Sequence, residues 1–252
     1  WCAAGKGTFG TKELIYRIKK TKLSEVVSHK VLILPELGAP GIAAHKILKH
    51  AGFRVMYGIV RANDIKEFID SKFKATEEMR EVRFDFKDRL VLTPLEIILS
   101  LKYFPILFAI MFGMNCFTRS NYDLNIILKY AWINSLPYLG AIFSGAFLVP
   151  VLLPYIPFRS FSMKGLLLGL LWSTVCAAYS SVFELPQNIY AYIGNTFMIS
   201  AIASVLALNF TGCTTYTSPS GVKKETIVAI PIAAIAALIG LILLIIGFKL
   251  GL

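Results

Sequence analysis

VLILPELGAPGIAAHKILKHAGFRVMYGIV, residues 31 to 60, is the stretch on which the fold of the N-terminal part turns. Val31 to Leu34 is a short apolar, β-branched run that predicts a buried strand, and Pro35, Gly38, Pro40 and Gly41 punctuate the loop after it. Gly41 to His50 carries Ile42, Ile47 and Leu48 at helical spacing, and Gly52 is placed to end that helix. Phe53 to Val60 predicts a second strand, and Asn63 or Asp64 is a cap for a helix over Ile65 to Phe73. Strand, helix, strand, helix at this spacing predicts an α/β Rossmann-like layer with parallel strands, in which ligands lie beyond the carboxyl ends of the strands. Those ends are the Leu34 to Gly41 and Tyr57 to Asn63 loops.

Outward from this stretch the chain changes character. Overall it is 56% hydrophobic and 16% charged, far from the roughly 45–50% and 25% of soluble domains. Residues 1–93 hold 18 Lys/Arg against 11 Asp/Glu, net +7, and residues 94–252 hold 8 against 4, net +4. The expected organisation is therefore a basic α/β domain at 1–93 followed by an all-α domain of five transmembrane helices at 94–252. Apolar stretches at about 95–114, 126–149, 165–183, 189–209 and 226–248 approach the roughly 20 residues that a bilayer demands. Five spans put the termini on opposite sides. Arg159, Lys164, Lys223 and Lys224 fall on the side shared with the N-terminal domain, with Arg119 and Lys249 on the other, so the positive-inside rule predicts a cytoplasmic N-terminal domain.

The same counts weigh against several functions. A modest basic excess suits anionic headgroups or an acidic partner, and no DNA- or RNA-binding motif accompanies it, so nucleic acid is not expected. The spans carry few charges, with Lys102 and Lys129 near their ends, and no intramembrane polar pair is evident, which argues against an ion-coupled transporter. Pro105, Pro137 and Pro186 predict kinks, and Gly140, Gly145, Gly165 and Gly169 predict close helix packing. Cys2, Cys116, Cys176 and Cys213 lack any CxxC spacing, so no iron–sulfur cluster or zinc site is expected on this chain. No signal peptide is visible, and the absence of an initiator Met at Trp1 suggests upstream sequence.

Two further segments concentrate small and polar residues. WCAAGKGTFGT, residues 1 to 11, has three glycines around Lys6 but not the spacing of a phosphate loop. Taken alone, its Cys2 reads as a buried inert thiol. NFTGCTTYTSPSGV, residues 209 to 222, is rich in hydroxyl groups and reads either as a solvated loop or as a site on the side of the N-terminal domain.

These segments together, with KDRLVL at residues 87 to 92, closely resemble the corrinoid-dependent mercury methyltransferases of anaerobic microbes. The N-terminal domain of that family is in turn similar to the corrinoid-binding domain of the corrinoid iron–sulfur protein of acetyl-CoA synthesis. The resemblance implies a cobamide cofactor with Cys2 as a thiolate ligand to cobalt on its lower face. Trp1, Ala3, Ala4, Gly5, Lys6, Gly7 and Thr8 would be its neighbours on a cap helix. Gly38, Ala39, Pro40, Gly41, Gly58 and Arg61 would line the macrocycle. The Asp-x-His-x-x-Gly motif of histidine-ligated corrinoid proteins is absent, since His29, His45 and His50 do not fit it.

The implied reaction is methyl transfer from cobalt to Hg(II), giving methylmercury; electron donation by a thiolate favours departure of a carbanion-like methyl group. The methyl group would come from a methylated folate-type carrier or a methyl-donor protein. Two electrons would come from a small ferredoxin with two iron–sulfur clusters, drawn to the basic domain. Cys213 would pass Hg(II) toward the cobalt. The alternative expectation is a membrane-tethered methyl-corrinoid carrier of one-carbon metabolism.

Overall fold

The computed structural model describes residues 9–118, 123–213, 217 and 219–250. The chain is 75% helical and divides into two compact units, residues 1–83 and 84–252.

The first unit contains the helices α1 (Thr11–Lys20), α2 (Leu23–Val26), α3 (Ala44–Ala51), α4 (Ile65–Asp70) and α5 (Glu77–Arg80), and the strands β1 (Val31–Leu34) and β2 (Arg54–Tyr57). The strands pair in parallel, Val31 opposite Arg54 through Leu34 opposite Tyr57. This overturns the expected Rossmann-like α/β layer. Among the described residues there are two strands of four residues each, joined through α3 and surrounded by short helices. The physical reason lies in the remaining sequence: residues 11–20 repeat their apolar residues at Leu14 and Ile18, one helical turn apart, and form α1 in place of a further strand. The expected second strand is also shortened, to Arg54–Tyr57.

Successive strand residues face opposite ways, and each face is covered. Leu34, with Leu32 beside it, packs on Leu14, Ile18, Ile42, Ile47 and Phe53, whereas Ile33 packs on Ile59, Phe68 and Met79. Ile47 and Phe53 are completely buried, worth about 1.5–3 kcal/mol each. The helix expected from Gly41 begins later, at Ala44, because Glu36–Gly41 forms a 3₁₀ turn containing Pro40. Gly52 ends it as expected, in the left-handed region at φ 73°, its N–H donating to Leu48 O. Asp64 stands at the N-cap of α4 without a side-chain capping bond.

The second unit holds α6 (Phe86–Leu101), α7 (Phe104–Thr118), α8 (Leu124–Phe143), α9 (Val149–Val151), α10 (Phe161–Ala178), α11 (Ile189–Asn209) and α12 (Pro219–Leu250). A π-helical turn, Ser144–Leu148, joins α8 to α9, so Leu124–Val151 runs on as one span. Among the described residues four helices are long and apolar enough to cross a membrane: Leu124–Val151, Phe161–Ala178, Ile189–Gly212 and Ser220–Leu250. The expected first span, 95–114, is not one straight helix. It is divided between α6 and α7, which meet at 41° and make a fifth span only if the bent pair is counted as one. Pro105, at the second position of α7, has no N–H to donate back to Leu101, so the α6 hydrogen-bond ladder cannot run through it.

Packing in this unit depends on small residues. A Cβ on Gly165 of α10 would strike Ala203 O, Ala207 Cβ and Ser204 Cα of α11. Gly194 of α11 and Gly240 of α12 abut reciprocally, a Cβ on either lying 2.8 or 2.9 Å from the other's carbonyl oxygen. Trp172 of α10 fills the space beside Gly140, and its indole N–H donates to Pro137 O at 2.8 Å. Of the most apolar stretch of α12 only 17% is buried, so most of that helix faces outward with Ile227, Val228, Ile232 and Ile235 exposed.

Candidate functional site

In the first unit the carboxyl ends of the two strands converge. Gly58 N–H donates to Leu34 O at 2.8 Å and Glu36 N–H to Ile59 O at 3.4 Å, which holds the two loops side by side. The end of the cysteine motif is bonded to the first of these loops. Thr11 Oγ1 accepts from Ala43 N–H at 2.8 Å and donates to Gly41 O at 3.2 Å. Glu13 Oε2 accepts from Phe9 N–H at 2.9 Å while Oε1 takes the Arg17 guanidinium, and these bonds hold the Glu13 carboxyl below its ordinary range. Tyr57 donates its hydroxyl to Ile42 O at 2.6 Å, and burial pushes its pKa up. Glu36 Oε2 is buried and has no hydrogen-bond partner among the described residues.

The residues expected around a cofactor therefore fare differently. Gly38 is buried, and its Cα face is taken by Phe9, whose Cε1 would lie 3.3 Å from a Cβ there, so Phe9 occupies the space expected to admit a macrocycle. Gly58 is buried as well. Ala39, Pro40, Gly41 and Arg61 are exposed and form the accessible edge of the cluster. Trp1, Cys2, Ala3, Ala4, Gly5, Lys6, Gly7 and Thr8 lie outside the described residues. Cys213 ends the 3₁₀ turn Phe210–Cys213 that follows α11. Cys116 is half-buried and Cys176 buried, both as free thiols. No group of three or more His, Cys, Asp and Glu side chains suited to a metal occurs among the described residues.

The second unit contradicts the expectation that its spans lack polar pairs. Asn115 and Asn134 are both fully buried and joined by a 2.9 Å hydrogen bond, and Asn134 Nδ2 also donates to Phe183 O and Glu184 O. Tyr138 donates to Asn195 Oδ1 at 2.7 Å. At the start of α10, Glu225 Oε1 accepts from Ser160 Oγ, Ser162 Oγ and Ser162 N–H at 2.7–2.8 Å. Lys164 is buried and donates to Leu153 O, and Arg89 of the KDRLVL segment donates to Phe84 O at 3.0 Å. The legible signal was the asparagines inside apolar runs, each of which needs a partner away from water.

No family model, curated protein or solved structure matches this chain.

Proposed function

We propose that this chain is a membrane-anchored corrinoid-dependent methyltransferase that passes a methyl group to Hg(II), forming methylmercury. The reading rests on the resemblance carried by WCAAGKGTFGT, VLILPELGAPGIAAHKI and FTGCTTYTSPSGV. The observation that supports it most is the bonding of Thr11, at the end of the first motif, to Gly41 and Ala43 in the second. Thr11 is thereby adjacent to a segment distant in sequence, which agrees with the reading.

The fit to a cobamide is partial. Ala39, Pro40 and Gly41 present small or rigid residues to an approaching ring edge, and Arg61 lies on the neighbouring loop, whereas Gly38 is already packed. Cys2 is the proposed axial thiolate, and a bound cobamide would supply a transferable methyl group on cobalt. Cys213 is proposed to hand on Hg(II), since thiolates bind soft metals. A methylated folate-type carrier or methyl-donor protein and a small two-cluster ferredoxin are the proposed partners. The excess of Lys/Arg over Asp/Glu in residues 1–93 supports an acidic electron donor and, with the loop charges, a cytoplasmic position for this unit.

The test is the visible spectrum of the full chain reconstituted with cobamide, wild type against Cys2→Ala. A band shift that depends on Cys2, with methylation lost in the variant, is expected; identical spectra or no bound corrinoid would overturn the reading. Cys213→Ala is expected to slow methylation at low Hg(II) and leave the spectrum unchanged. Undiminished methylation would remove Cys213 from the scheme.

A further inference from the structure

A groove of 640 Å³ lies between α10, α11 and α12, polar at one end and apolar along the rest. At the polar end are Lys224, Glu225, Ser160 and Ser162, with exposed Arg159 and Lys223 next to them in sequence. Against the single charge of Glu225, whose Oε1 is held by the two serines, stand the cations Lys224, Lys223 and Arg159, so this end of the groove carries a positive excess. Beyond it the walls are Leu166, Phe197, Val228 and Ile232. From Lys224 to Ala236, both of which line the groove, α12 rises about 18 Å, close to half of the ~30 Å hydrocarbon core and hence to one leaflet.

We propose that this groove is a binding site for one anionic phospholipid. Its phosphate sits at Lys224 and one acyl chain lies along Phe197, Val228 and Ile232. Two observations select this occupant: the excess of cations at the mouth and an apolar length matching one leaflet. Val228 and Ile232 are also 59% and 61% exposed, so the groove is open to the lipid from the side. The inference is independent of the corrinoid reading.

The experiment is native mass spectrometry of the detergent-solubilised full chain titrated with phosphatidylglycerol or phosphatidylcholine. Phosphatidylglycerol is expected to bind about five-fold more tightly, the effect of one cation near a headgroup. Lys224→Gln should erase that preference. Ala229→Phe, which fills the groove beside Val228, should remove the tightest-bound lipid of either kind. Equal binding of the two lipids, or a preference that survives both substitutions, would overturn the proposal.

Discussion

Glu13 is the titratable residue whose environment bears most directly on the proposed site. Its carboxylate accepts from Arg17 and from the Phe9 N–H, and it is the ionised form that these donors favour. A carboxyl with a depressed folded-state pKa stabilises the fold above its unfolded value, and that contribution fades as pH falls through the folded value. The window here therefore opens near the ordinary 4.5 and extends downward. The Phe9 amide proton shift is expected to titrate with a midpoint below 4.5 in an NMR pH series, and Glu13→Gln should flatten the curve. A midpoint at or above the ordinary value would show that the two bonds are not held in solution. Little of this was readable beforehand: the Glu13 and Arg17 spacing was available as an i,i+4 pair, but the Phe9 bond depends on the left-handed backbone at Phe9, φ 44°.

Among the elements, the α10–α11 pair carries the clearest consequence. Gly165 and Gly169 remove side chains where α10 crosses α11, and the backbone around Ala203 fills the space. Gly165→Val forces the helices apart, because its side chain would strike Ala203 O and Ser204 Cα, which are main-chain atoms that cannot rotate away. A loss of about 1–3 kcal/mol is expected, measured as reversible unfolding in mixed micelles. Gly113→Val serves as the control, since nothing lies within 4 Å of a Cβ there. Equal losses would mean that the α10–α11 crossing is looser than described. The glycines announced close packing; which helices they join required the assembled unit. The division of 95–114 into α6 and α7 was half legible, in Pro105, because a proline marks a break without giving the 41° bend.

For the whole molecule, the charge rule and the helices combine into a topology prediction. Leu124–Val151 is a continuous helical run long and apolar enough to cross a bilayer, so residues before and after it are expected on opposite sides. With Asp123→Cys and Phe158→Cys placed separately in a cysteine-free background, a membrane-impermeant maleimide added to intact cells should label position 123 and spare 158. The reverse pattern would invert the orientation proposed for the N-terminal unit. Composition and the spacing of apolar residues by themselves determined that the chain has several membrane-length helices and a basic N-terminal part, because burial in lipid demands long apolar runs whatever the fold. Local turn chemistry likewise determined the strand at 31–34 and the helix stop at Gly52. Only the tertiary structure decided that the sheet stops at two strands, that Phe9 rather than open space covers Gly38, and that Asn115 meets Asn134. Each of these is a contact between segments distant in sequence or a competition for one surface, and neither leaves a periodic trace in the residues that take part.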